Sequence, residues 1–272
     1  MVEIDQLVFG ALIAALALVA IWRMSGAIKA LVALWRRPQV TETDISTEET
    51  VSVKGEAFVE ESAMATDRVF DDNPRDIGSY VWRATFISGG NYTYDFDRGE
   101  FRKARRSFAS GIETGRFGVS IGKKDVYVDP SWLGQAYDSK PLSEVTIGEH
   151  RSNVSLPLRL SQQLFDSPYL NLTTAGECQS GKLSDILEVK IHDNRTDEFI
   201  IDGRGIPAGE QLFVSGTVRV EDGRLTLVGT EDAPLLISDT GRKGLRRRLV
   251  WRILKKTLLL SLVIGLGVLF LG

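Results

Sequence analysis

Residues able to do catalytic or metal chemistry are scarce in this chain. Its 272 residues include two histidines, His150 and His192, and a single cysteine, Cys178. One cysteine cannot form a disulfide within the chain, and it is too few for a cysteine-based zinc module. Cys178 reads as a small buried hydrophobe. The two histidines lie far apart, and His192 falls within an alternating, strand-like pattern, so both read as ordinary surface or core residues. Serine and aspartate are plentiful, so a Ser-His-Asp triad can be written on paper. No G-x-S-x-G elbow or other nucleophile context supports it. Gly203-Arg204-Gly205-Ile206-Pro207-Ala208-Gly209 is glycine-rich, but no P-loop Lys-Ser/Thr follows, and the next segment has strand rather than helix period. It is expected to be a loop between two strands. The sequence therefore assigns no catalytic, cofactor or metal residue.

Two further groups bear on binding. Arg98, Arg102, Lys103, Arg105 and Arg106 cluster with Phe101 and Phe108. The cluster is read as a solvated face or loop, and as a lipid contact if the body lies near a bilayer. Four of the five asparagines, Asn91, Asn153, Asn171 and Asn194, stand in N-x-Ser/Thr sequons, which makes sense on an extracytoplasmic face.

The elements expected to carry these residues are mostly strands. From about residue 50 the hydrophobic period is two, punctuated by turn residues. Strands are predicted at Val51–Val59, Tyr80–Ile87, Arg116–Ile121, Asp125–Asp129, Ile186–His192, Glu198–Asp202, Gln211–Val220, Arg224–Val228 and Pro234–Ser238. Gly122-Lys123-Lys124 and Asp222-Gly223 supply hairpin turns. Short helices are predicted near Ser131–Tyr137 and Leu158–Phe165. The middle thus reads as one compact barrel or sandwich with insertions.

The ends differ in kind. Leu7–Trp22 and Thr257–Gly272 are charge-free apolar runs of 16 residues. Each covers about 24 Å as a helix, and Arg23, Lys255, Lys256, Trp22 and Trp251 extend the reach to the interface. Glu3 and Asp5 precede the first run with no basic residue, unlike a signal peptide's n-region. Between Arg23 and Arg37 apolar residues continue at helical spacing, a basic amphipathic extension ended by Pro38. Net charge is −3 overall but unevenly spread: +2 over residues 1–40, −13 over 41–240 and +8 over 241–272. The acidic middle disfavours nucleic acid as the main partner, and the basic flanks suit anionic head groups.

A resemblance follows from particular residues. Glu198-Phe-Ile-Ile, then Ile206-Pro-Ala-Gly-Glu-Gln-Leu-Phe-Val-Ser-Gly-Thr-Val, Leu225-Thr-Leu and Pro234-Leu-Leu-Ile-Ser-Asp, resembles the end of the GIDE, or beside-a-membrane, domain of membrane-anchored RING-type E3 ubiquitin ligases. Phe117–Pro130 is similar to that domain's hairpin, and Val53-Lys-Gly-Glu-Ala to its opening strand. The resemblance covers roughly residues 50–272 and is densest over 186–240. It implies a β-domain between two transmembrane helices. It does not carry ligase activity over, because one cysteine and two histidines cannot supply a RING's zinc ligands.

The resulting expectation is a mainly β protein, a compact barrel- or sandwich-like domain between two transmembrane helices. Residues 1–37 form the first helix and its extension, 38–49 a polar linker, 50–240 the GIDE-like domain, and 241–272 the basic segment and second helix. Thr240–Gly244 reads as a second linker. Expected partners are the lipid bilayer and an unidentified protein, in a non-catalytic binding or membrane-assembly role. Rival readings are a component of a ubiquitin-like modification system and a transport accessory or membrane-stress protein. Because every positive charge near the two helices lies on the body side, the body is expected in the cytoplasm.

Overall fold

The computed structural model describes residues 2–40, 46–73, 75–95, 100–147, 164–189 and 199–271. Helix α1 is Val2–Arg36, followed by strand β1 (Thr50–Glu61), the short helix α2 (Thr66–Val69), and strands β2 (Ile77–Asp95) and β3 (Glu100–Thr114). Strands β4 (Arg116–Ile121) and β5 (Lys124–Asp129) lead into helix α3 (Ser131–Ala136), then β6 (Thr146–Ile147), β7 (Leu170–Asn171), β8 (Thr174–Gln179) and β9 (Glu188–Val189). The chain finishes with β10 (Phe199–Pro207), β11 (Gln211–Glu221), β12 (Arg224–Val228), β13 (Leu236–Ser238) and helix α4 (Gly241–Leu271).

Five strands close a barrel in the order β1-β4-β5-β12-β11, with β11 returning to β1. All neighbours are antiparallel except β12 with β5. A five-stranded Greek-key barrel is the architecture of OB folds. Closure depends on β1, which pairs with β11 over Thr50–Glu56 and with β4 over Glu56–Glu61. Alternate residues of these strands, among them Val53, Val119, Val126, Leu212, Val214 and Leu227, fill the interior with no exposed surface.

A second sheet, ordered β3-β2-β10-β8, packs on the barrel. Its period of two divides its faces. Val81, Ile112 and Ile206 join the barrel core, whereas Tyr80, Trp82, Ala84, Phe108 and Ile201 build a second core with α2. The body is thus a barrel with a sheet laid against it, not a two-sheet sandwich.

Several expectations need correction. The glycine-rich 203–209 segment is not all loop. β10 runs through to Pro207, and only the turn at Ala208-Gly209 remains, with Gly209 at φ +81°. Gly203 and Gly205 are there because Phe70 lies on the strand: an added Cβ would stand 3.0 and 2.9 Å from its ring. The basic cluster, apart from Arg98 outside the described residues, lies on β3, a 15-residue strand that a turn-and-charge reading of that region hides. The 38–49 linker is tied at both ends. Pro38 O accepts from Ser52 N at 2.9 Å, and Glu48 N donates to Val218 O at 2.8 Å. No linker follows residue 240, because α4 starts at Gly241, whose φ of +72° turns the chain directly from β13 into the helix. Ser131–Tyr137 is helical as expected, while only a short 3-10 turn at Leu164–Asp166 is described within the second predicted helix. The described part of Ile186–His192 holds only the two-residue strand β9.

Helix α1 is continuous from Val2 to Arg36, joining the anchor run and its extension. Ala27, Ala30 and Leu34 on α1 pack with Leu245 and Leu249 on α4 and with Phe213 and Leu236 of the barrel, forming one buried cluster. The helices are antiparallel: Leu34 lies by Arg242, and Thr257 Oγ1 donates to Met24 Sδ at 3.9 Å. Both chain ends therefore lie at the end of the helix pair away from the barrel.

Candidate functional site

The junction of helix pair and barrel gathers four arginines, Arg37 buried and Arg242, Arg248 and Arg252 half-buried. Arg37, 5% exposed, sits just past α1 and donates through Nη1 to Pro234 O at 2.7 Å and Ser215 Oγ at 3.2 Å. Ser215 Oγ also receives Ser52 Oγ at 2.9 Å and donates to Val51 O at 3.1 Å, so the guanidinium is wired into β1 and β11. Arg242 Nη2 donates to Leu34 O at 2.7 Å and Arg37 O at 3.3 Å, satisfying carbonyls at the end of α1. Arg248 Nη1 reaches Leu170 O and Asn171 Oδ1, both at 2.8 Å, and Arg252, one turn on, donates to Asp166 O. Burial pulls Arg37 and Arg248 down to about 10, still far above neutrality, so both stay charged.

These contacts change how the basic flanks are understood. The sequence presents Arg37, Arg242, Arg248 and Arg252 as charges for lipid head groups. The structure gives them to backbone carbonyls and polar side chains that lock the helices onto the barrel. Their side-chain partners Ser215 and Asn171 carry no sequence signal of this role. The i, i+4 spacing of Arg248 and Arg252 was the one legible hint of a shared face.

The outward side of the junction is apolar and aromatic. Trp22, Trp35 and Trp251 are 54%, 67% and 56% exposed, alongside Ile28, Val32, Val250 and Leu254. Lys29, Arg36, Lys243, Arg246, Arg247 and Lys255 are exposed at the same end of the two helices, and Lys255 Nζ lies 5.4 Å over the Trp251 ring. Tryptophan beside cations on an apolar helix is the composition of a membrane–water interface.

The candidates drawn from the sequence fare as follows. His150 and His192 lie outside the described residues, as do Asn153 and Asn194. Asn171 is buried, and its Nδ2 donates to Ser238 Oγ at 3.3 Å and to Thr240 Oγ1 while its Oδ1 receives Arg248. A glycan there would require unlatching α4, so this sequon says nothing for an outer face. Among the described residues no group of three or more His, Cys, Asp or Glu could hold a metal ion.

Cys178, 3% exposed under the second sheet, has its thiol pushed up to about 11 by burial. It is thus shielded and protonated at neutral pH, two barriers to nucleophilic attack. A maleimide is expected to leave it unlabelled in the native protein and to label it fully after unfolding in guanidinium. Labelling of native protein at the rate of a free thiol would show that this face of the sheet is open.

Two grooves mark the body. One of about 530 Å³ lies on β4, β5 and β12, lined by Glu61, Tyr127, Asp129, Glu221, Asp222 and Arg224 among others. This is the face on which OB folds hold oligonucleotides. Here its cations are already engaged: Arg224 reaches Glu60 at 3.0 Å and stacks on Tyr127 at 4.9 Å, and Arg116 reaches Glu60 at 3.7 Å. The acidic excess repels a phosphate backbone. A second groove of about 410 Å³ holds Asp71, Asp72 and Glu177 beside Arg83, which pairs with Asp202 at 2.9 Å. Neither assembles a nucleophile with a base, or a recognisable cofactor cradle.

What fold and site define is a mainly β protein, a five-stranded barrel carried by helices at both chain ends. Among the described residues one helix segment, Ile13–Arg36 of α1, is long and apolar enough to cross a membrane. No protein-family model and no curated protein matches this chain.

Proposed function

We propose that the protein is a two-helix integral membrane protein whose GIDE-like barrel is a non-catalytic binding module held against the bilayer on its cytoplasmic side. The observation that carries this reading is the shared cluster of Ala27, Ala30, Leu34, Leu245, Leu249, Phe213 and Leu236. Helices and barrel are one packed unit, so a protein docked on the barrel is held at a fixed distance from the membrane. A flexible tether would hold no such distance. Apolar side chains on α4 beyond Lys256, including Leu258, Leu259, Leu262 and Ile264, are exposed and suit lipid as their surroundings. The antiparallel pairing lets both helices cross in one bilayer with both chain ends on the far side. Six exposed cations remain at the barrel end of the pair, which supports the cytoplasmic placement.

Two measurements test this. Alkaline carbonate washing should leave the protein in the membrane pellet, and release to the supernatant would refute the anchor. For topology, Ser46 is exposed on the body side. A Ser46→Cys, Cys178→Ala variant should resist a membrane-impermeant maleimide in intact cells and react after lysis. Labelling in intact cells would place the barrel outside. Cross-linking in the membrane then identifies the docked protein, and capture of a ubiquitin-like conjugation enzyme would favour the modification-system reading.

A further inference from the structure

A cavity of about 420 Å³ lies where α1 passes α3 of the barrel. Its walls include Trp22 and Lys29 from α1, Trp132 and Asp138 from α3 and the turn after it, and Tyr169 and Glu231. Trp132 and Tyr169 meet edge to face, with ring centroids 5.3 Å apart. Among the described residues Lys29, Asp138 and Glu231 enter no ion pair, with one another or with any other group. The cavity therefore holds one cation and two carboxylates, kept apart, around an aromatic wall.

Helical spacing leads into it. Leu18, Trp22, Ser25 and Lys29 fall at i, i+4, i+7 and i+11, along one face of α1. Leu18 and Trp22 are exposed, and the stripe covers about 17 Å from apolar to cationic end. The stripe begins within the segment able to cross a membrane and ends at the barrel.

We propose that this cavity binds the head group of a zwitterionic phospholipid from the surrounding bilayer, an inference that rests on α1 spanning the membrane. Lys29 takes the phosphate. Glu231 and Asp138 take the ammonium, with Trp132 and Tyr169 as the aromatic wall that favours a cation. Leu18 and Trp22 carry the acyl chain. A headgroup with a phosphate and no ammonium leaves both carboxylates facing an anion. Discrimination thus comes from repulsion as well as attraction.

The test is quenching of Trp132 by lipids brominated on their chains. In full-length protein, Trp22, Trp35 and Trp251 are changed to Phe, which keeps an aromatic ring at position 22 against the acyl chain and leaves Trp132 and the buried Trp82, which lipid does not reach. The protein is reconstituted in vesicles of brominated phosphatidylethanolamine in plain phosphatidylglycerol, and in the reverse mixture. The expected preference for phosphatidylethanolamine is about tenfold, the size of one charge-assisted contact. It should fall to within about twofold in the Lys29→Gln, Glu231→Gln variant, whose changes are at exposed positions. Equal quenching by the two lipids, or a preference that survives the double variant, would overturn the proposal. Free phosphoethanolamine in excess should leave the preference intact. Its loss would assign the cavity to a soluble ligand and overturn the lipid assignment. A parallel protein keeping Trp251 in place of Trp132 reports the anchor itself. Quenching of Trp251 by both lipids with no selectivity at Trp132 removes this proposal alone. Absence of quenching at Trp251 removes the membrane reading with it.

Discussion

Gly55→Val is expected to destabilise the barrel severely. Gly55 lies where β1 hands over from β11 to β4, pairing with Leu212 one residue before Glu56 meets Ser120. A Cβ on Gly55 would stand 2.0 Å from Ser120 O and 2.8 Å from Val119 Cγ1. The first of these is backbone of the neighbouring strand, which cannot rotate aside. To admit the side chain, β1 and β4 must separate, and with them goes the only antiparallel seam joining β1 to β4. Overpacking a rigid interior costs about 1–3 kcal/mol, and more where the backbone itself must move, so a loss of at least about 3 kcal/mol is expected. Thermal melting followed by circular dichroism in mild detergent measures it. Gly181→Ala is the control: nothing lies within 4 Å of its Cβ position, and the change should stay within about 0.5 kcal/mol. A Gly55→Val protein melting like the parent would show that the two strands do not close as described.

Arg37→Ala is expected to loosen the helices from the barrel. The substitution removes charge-assisted hydrogen bonds to Pro234 O and Ser215 Oγ, and leaves a buried carbonyl without its donor. Each such bond contributes about 1.5–3 kcal/mol, offset in part by the cost of burying the guanidinium. A net loss of about 3 kcal/mol corresponds to a fall in melting temperature on the order of 6–12 °C for a body of this size. Because the acceptors are neutral, molar salt should change this difference little, unlike the effect of breaking an exposed ion pair. New protease cleavage near residues 38–49 should accompany it, since that segment is tied down from the same corner. An unchanged melt would mean that the apolar cluster alone holds the junction.

How far these features were legible differs from element to element. The hairpins at Gly122-Lys123 and Asp222-Gly223 show in the sequence because their turns need positive φ, which Gly122, Asp222 and Gly223 adopt. The strands flanking them follow from alternation, which the barrel enforces by burying one face. The long strand β3 was hidden because its first half is basic and unalternating. β10 was cut short because Gly203 and Gly205 signal a loop locally, and only the distant Phe70 explains them. At Gly55 the barrel leaves no room for a side chain, a constraint set by the neighbouring strand and not by any local signal.

The sequence by itself determined the class of the chain: apolar ends, an acidic β-rich middle, and too few histidines and cysteines for zinc chemistry of the RING kind. These are properties of composition and short-range period, which the chain carries wherever its segments end up. The tertiary structure decided the rest. It closed into a barrel five strands whose paired residues lie as far apart as Thr50 and Thr217, 167 positions along the chain, and it gave Arg37, Arg242, Arg248 and Arg252 backbone carbonyls as partners. It buried a sequon and brought Lys29 and Glu231 into the lining of one cavity. Such pairings depend on which surfaces meet in space, and a guanidinium reads the same in sequence whether its acceptor is a head group or the carbonyl of Pro234, 197 residues away.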